Sequence, residues 1–184
     1  KKWDVYVYGD VNIDLVVPGV ESLPPFGSEV DVPVMETFVG GGAALFTLGL
    51  AKLGLTPVFQ GSIGKDMYGT YIRNLFRELG VDDSLLLDSD TKKTGISISF
   101  TTQKDRCFLT YRGTNEGISL KYMDLEQLQY AKHVHVTGYE GLTNHDEYLD
   151  VLTKIHALGN VTVSFDVGWD TTGVWYEGIY DLLP

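Results

Sequence analysis

The chain has 184 residues, 43% of them hydrophobic and 21% charged, which is a globular composition and not a disordered one. Fourteen Lys and Arg against 25 Asp and Glu leave a net charge of −11 with no basic run, which disfavours a nucleic-acid partner. A lone cysteine, Cys107, excludes an internal disulfide framework and fits a reducing, cytoplasmic setting, and no apolar run approaches the ~18 residues that would argue for a membrane span.

The opening Lys1-Lys2-Trp3 lacks a Met and reads as a trimmed start, not a signal peptide. Val5 to Gly9 reads as a buried strand ending in glycine. Asp10 to Asp14 follows, then a loop with Pro18, Pro24 and Pro25. Glu29 to Val34 alternates polar and apolar, and Pro33 predicts an edge strand there, with Thr37-Phe38-Val39 as its return partner. Gly40-Gly41-Gly42 opens a helix expected over 43–53 and closed by Gly54. Pro57 to Ser62 is a short strand. Ile72, Leu75, Phe76 and Leu79, at i, i+3, i+4 and i+7, predict a second helix stopped at Gly80. Strand and helix alternate through short glycine connections, which predicts a parallel sheet flanked by helices.

The middle of the chain breaks that rhythm. Gly95 to Thr101 and Cys107 to Arg112 are two alternating β runs, joined by a turn at Gln103-Lys104-Asp105 and wet on one face. The α/β pattern then returns, with a short helix over 125–130 and a strand at His133 to Val136. A helix over 145–158 is expected to turn Leu149, Leu152 and Ile155 inward, and a buried strand to run from Val161 to Asp166. Asp181-Leu182-Leu183-Pro184 does not read as a natural end, and a parallel sheet cut there is expected to leave a hydrophobic edge unpaired.

The first βα turn lacks the Gly-x-Gly-x-x-Gly of dinucleotide folds, and no Gly-x-x-x-x-Gly-Lys-Ser/Thr occurs anywhere. In its place stand Asn12 and Asp14, which point to one side of an extended segment. An amide and a carboxylate so placed suit neighbouring hydroxyls of a polyhydroxylated ligand; a local turn that satisfies both is the alternative. Gly40-Gly41-Gly42 allows a ligand close to the backbone at a helix start with free N–H donors; a tight strand-to-helix turn is its alternative. Asp66 is expected to cap the second helix. The four histidines form no metal-ligand spacing, no nucleophile signature surrounds Cys107, and Trp169 and Trp175 are expected to be packing residues.

Taken together, these segments resemble the ribokinase-like (PfkB) carbohydrate kinase family along essentially the whole chain. Gly9-Asp10-Val11-Asn12-Ile13-Asp14 is similar to the family's substrate motif, and Phe38 to Ala44 running on to Gly54 to its di-glycine signature. Gly61 to Gly69, Thr94-Gly95, Tyr111-Arg112-Gly113 and Val163 to Asp166 follow in the family's order. The resemblance implies a Rossmann-like α/β domain over 1–184, incomplete at its C-terminus, with small lid strands at about 29–39 and 95–112. It implies transfer of the ATP γ-phosphoryl group to a sugar or nucleoside hydroxyl, with Mg²⁺, and a possible homodimer through the lid. Asn12, Asp14, Gly40, Gly41, Gly42 and Tyr139 are the implied substrate contacts. The implied base, phosphate cradle and Mg²⁺ site lie beyond residue 184, so this chain alone is expected to be inactive. A non-catalytic sugar-binding or regulatory relative is the alternative. Leu45 stands where the family usually has a sugar-bonding Asn, and Val167-Gly168-Trp169-Asp170 stands where an Asn and an Arg are common.

Overall fold

Val5, Tyr6, Val7 and Tyr8 alternate across strand β1 (Trp3–Tyr8) and all four are buried, so this strand is covered on both faces. The computed structural model, which describes residues 1–170 and 172–183, shows how. β1 is the centre of a five-stranded parallel sheet in the order β5-β4-β1-β8-β9, with β4 (Pro57–Gly64), β5 (Leu86–Ser89), β8 (Ala131–Tyr139) and β9 (Thr162–Val167). Helices α1 (Gly42–Lys52) and α2 (Met67–Glu78) cover one face, where Val5, Val7 and Phe59 meet Ala43, Ala44, Ile72 and Phe76. Helix α3 (His145–Ala157) covers the other, where Tyr6, Tyr8 and Val136 meet Tyr148, Leu152 and Ile155. Two covered faces explain why the central strands read as nearly continuous apolar runs.

A second sheet of four strands stands beside the first, in the order β3-β2-β6-β7. It contains β2 (Asn12–Pro18), β3 (Glu36–Gly40), β6 (Gly95–Thr101) and β7 (Arg106–Tyr111). β2 and β6 run parallel at its centre, and β3 and β7 flank them antiparallel. Its root is anchored in the core, where Ile13 and Val39 are buried with side chains of α1 and α2, while β7 is exposed at every position.

The structure corrects several sequence expectations. Leu15 to Pro18, expected to belong to a loop, continues the extended segment of Asn12 and Asp14 as β2, one of the two central strands of the small sheet. Glu29 to Val34 lies outside the strands and is exposed, because β2 already pairs with Glu36–Gly40 on one edge and β6 on the other. α3 turns Tyr148, Val151, Leu152 and Ile155 inward, and Leu149 stays 40% exposed. The 125–130 segment is a 3-10 helix. β9 is half-exposed, since among the described residues β8 pairs with one of its edges and no strand with the other.

Candidate active site

From β1 the chain builds outward to β4 and β5 on one side and to β8 and β9 on the other. The carboxyl ends of β1 and β8 are therefore the point where the winding reverses, the place where open α/β sheets bind ligands. A cleft of about 590 Å³ lies there, with Asp10, Thr137 and Asp166 on its floor, and Asn12 and Thr110 of the small sheet and Arg112, just past β7, on its wall.

Asp10 joins three elements. Its carboxylate accepts the backbone N–H of Gly42 (3.1 Å) and Ala43 (3.0 Å) and the hydroxyl of Thr137 (3.2 Å). It thus caps α1 and ties the ends of β1 and β8 together. The N–H donors at the start of α1, expected to be free for a ligand, are occupied by the protein's own carboxylate.

Asn12 and Asp14 share one side of β2, as their spacing predicts, and they touch: Asn12 Nδ2 donates to Asp14 Oδ1 at 2.7 Å. Burial pushes the Asp14 carboxyl above its usual range, opposed by that hydrogen bond. Asn12 is on the cleft wall. The three glycines have three different jobs. A Cβ on Gly40 would sit on the Asp14 carboxylate. Gly41 has φ +96°, and its Cβ would lie 2.7 Å from the Asp10 carbonyl oxygen. Gly42 lines the cleft, with nothing closer than 3.8 Å to where its Cβ would be. Two glycines make room for acidic side or main chain, and one leaves space for a ligand.

Tyr139 lies behind the cleft wall. It is 4% exposed, its hydroxyl is hydrogen-bonded to His145 Nδ1 at 3.0 Å, and its ring packs edge-on against Tyr148 and Phe165. Its neighbours Gly138 and Glu140 face the cleft instead. Strand alternation places one residue of the three inward.

Sequence reasoning missed two amides that shape the site. Asn115 accepts Val11 N–H (3.2 Å) and donates to the Val11 carbonyl (2.9 Å), so its side chain completes the turn after β1. Asn144 does the same for the turn after β8, accepting from Glu140 N–H (2.8 Å) and donating to the Gly138 carbonyl (2.9 Å). Asn115 has no local signal, because its partner lies 104 residues away, whereas Asn144 bonds backbone only four and six residues before it. Arg112, noted only within a motif, is the one basic side chain on the cleft wall among the described residues; it shares that wall with four carboxylates, Asp10, Glu140, Glu147 and Asp166.

Asp66 is structural, as expected. It caps α2 through Gly69 N–H (2.8 Å) and accepts both the N–H and the hydroxyl of Thr94 (2.8 Å each), which fastens α2 to the root of β6. Those hydrogen bonds outweigh desolvation and hold its carboxyl below the usual range. His133 bonds the hydroxyls of Thr162 (2.8 Å) and Ser164 (2.7 Å), and His135 bonds Ser164 (2.7 Å) and stacks on Phe46. Trp169 and Trp175 are 74% and 53% exposed, against the packing role expected of them.

A parallel α/β sheet with a second sheet beside its switch-point cleft defines the class, an open α/β fold with its cleft at the carboxyl ends of the strands. More narrowly, the chain belongs to the family described as pfkB family carbohydrate kinase, whose pattern matches residues 2–179. The 5-dehydro-2-deoxygluconokinase of Shouchella clausii (strain KSM-K16) is 34% identical over 147 residues, 75% of this chain and 42% of that protein. Among solved structures, the PfkB protein from Polaromonas sp. JS666 superposes with a TM-score of 0.74 at 24% identity, covering 92% of this chain and 57% of that one. The Arabidopsis thaliana ribokinase complexed with ribose and ATP gives a TM-score of 0.74 at 22% identity, covering 91% and 54%. The chain spans about half the length of these relatives. No helix among the described residues is long and apolar enough to cross a membrane.

Proposed function

We propose that this chain carries the acceptor-binding cleft and the lid of an ATP-dependent sugar kinase. The observation that carries this reading is the switch-point cleft, whose lining brings Asn12 of the small sheet together with a set of carboxylates from the ends of the large sheet's strands and the residues that follow them. An amide gives and takes hydrogen bonds and a carboxylate takes them, which matches the adjacent hydroxyls of a sugar or a nucleoside ribose. Asn12, Asp14 and Gly42 are the proposed contacts, with Gly40 and Gly41 allowing Asp14 and Asp10 to hold their places. β2, β6 and β7 act as the lid. Closing them over a bound sugar excludes water, which protects a phosphoryl group in transfer from hydrolysis.

Arg112 narrows the substrate class to a sugar acid. Arg112 is the one cation among the described cleft residues, and a ligand carboxylate directed at it, away from the acidic groups, would be held by a charge-assisted hydrogen bond. The curated relatives, named for a gluconate, favour the same class. The described cleft residues do not fit an ATP–Mg²⁺ complex. The first N–H groups of α1 are taken by Asp10, and among the described residues no three ligating side chains converge on a metal position. No step through the nucleotide or the metal is drawn from these residues, and the chain alone is proposed to bind sugar without phosphorylating it. The exposed Phe108 and Leu109 of β7 are the proposed contact with a second copy, testable by sedimentation. A non-catalytic sugar-binding relative is the second reading, favoured by Leu45, which puts an exposed aliphatic side chain on the first turn of α1.

Calorimetric titration of the protein with D-gluconate, D-fructose and D-ribose tests this. Gluconate is expected to bind tightest, and Arg112→Ala to weaken it about tenfold or more while neutral sugars change little. Neutral sugars binding as well as gluconate would overturn the acid assignment. No sugar binding at all would overturn the kinase reading, and phosphorylated product from ATP and this chain would overturn the inactivity.

A further inference from the structure

Asp170 is a carboxylate-bearing side chain with only 5% of the residue exposed, and its oxygens are fully committed to its own loop. It accepts Thr172 N–H (2.8 Å), the Thr172 hydroxyl (2.6 Å) and Trp175 N–H (2.8 Å), while its carbonyl accepts Gly173 N–H (3.1 Å). The loop it organises ends in strain. Trp175 sits at φ +52°, the one non-glycine residue in the left-handed region among the described residues. A bulky residue is held there only when its surroundings over-determine it, and such strain gathers at functional positions. Here it places the Trp175 ring edge-on against Trp169, with centroids 5.4 Å apart and planes at 88°.

The result is an indole with no burial of its own to gain. Trp169 is 74% exposed, yet it stands on the wall of the switch-point cleft, braced by its neighbour. Tyr111, 53% exposed, lines the same cleft from the small sheet. Aromatic faces carry negative charge density, and the C–H face of a sugar ring presents weakly positive hydrogens to it. Polar groups on the floor take the hydroxyls; among the described residues that line the cleft, Trp169 is the one large π surface on the β9 side.

We propose that Trp169 is a specificity-determining residue: it stacks on the C–H face of the bound sugar ring, and Trp175 and Asp170 are positioning residues that hold it there. This rests on the sugar-kinase reading. It adds that, among uncharged ligands, the cleft selects ring forms over acyclic polyols, which have no flat C–H face to offer, whereas an open-chain sugar acid is held through Arg112 instead.

The test is tryptophan emission of the protein titrated with D-fructose, D-ribose and the acyclic polyol D-glucitol, followed by calorimetry. Trp3 is 3% exposed in the core, so the changing signal comes from the two exposed indoles. Fructose or ribose is expected to shift the emission of the unaltered protein and of Trp175→Phe, with glucitol silent. Trp169→Ala is expected to weaken the ring sugar about tenfold, Trp169→Phe to keep it within about threefold, and both to melt as the unaltered protein does. Trp175→Gly tolerates the positive φ and removes only the brace, so it is expected to weaken binding less than Trp169→Ala. Ring-sugar binding that Trp169→Ala leaves intact, or glucitol binding equally well, would overturn the proposal while the kinase reading stands. Failure of every sugar to bind the unaltered protein would overturn both.

Discussion

β1 and β7 are both six residues long, both rich in aliphatic and aromatic side chains, and they live in opposite environments. β1 has a strand on each edge and helices over each face, so five of its six residues are buried. β7 has β6 on one edge and, among the described residues, nothing on the other, and all six of its residues are exposed. An apolar pattern states how much cover a strand can use. Whether that cover exists is decided by the rest of the fold. The large sheet is therefore a rigid base, and the small sheet is an overhang held at its root by Ile13 and Val39.

The sharpest way to break this contrast is a core truncation. Phe59 is fully buried and packs edge-on to Phe76, so Phe59→Ala is expected to cost about 3–5 kcal/mol in urea unfolding. Next is the fastening between the regions. Asp66→Ala removes the cap of α2 and both bonds to Thr94, for an expected loss of about 2 kcal/mol. Amide exchange should then quicken in β6 and β7 and stay slow in β1 and β8; uniform quickening would mean the small sheet is not separately anchored.

A smaller effect comes from His133 and His135 on β8, one strand in from the open edge of the large sheet. Burial lowers the pKa of both below 6.5; for His135 the nearby Asp166 carboxylate opposes the shift in part. The unfolded chain then binds more protons than the folded one just below pH 6.5, so stability is complete above that value and falls as the pH drops through it. Urea midpoints between pH 7.5 and 5 should fall in that sense, and His133→Gln with His135→Gln should flatten the slope. Midpoints that rise on acidification would contradict this. The smallest change is expected on the overhang: Phe108→Ala should shift stability by no more than about 0.5 kcal/mol. A loss as large as that of Phe59→Ala would erase the distinction between the two sheets.

Much of the base was legible. Val5 to Tyr8, the i, i+3, i+4, i+7 set from Ile72 to Leu79 and the hairpin at 95–112 all encode their element by local period. The misreadings fall where partners are remote. Glu29 to Val34 alternates like a strand, but β3 and β6 already hold both edges of β2. Leu149 fits a helical stripe, yet the face α3 buries is set by Tyr148 and Val151 against the sheet. Of the site, the pairing of Asn12 with Asp14 was legible because extended backbone puts i and i+2 on one side. Asn115 and the guanidinium of Arg112 were not assigned roles, since nothing local marks them.

By itself the sequence determined the parallel α/β pattern, the inserted hairpin at 95–112 and the order of the motifs, because periodicity and glycine punctuation act over a few residues. The tertiary structure decided which of those motif groups are free to meet a ligand. Asp10 reaches across 32 residues to take the N–H groups of α1, Tyr139 turns into the core, and Trp169 turns out to the cleft. A hydrogen-bonding group has a definite capacity, and whether the protein itself uses that capacity depends on side chains distant in sequence that only folding brings within about 3 Å.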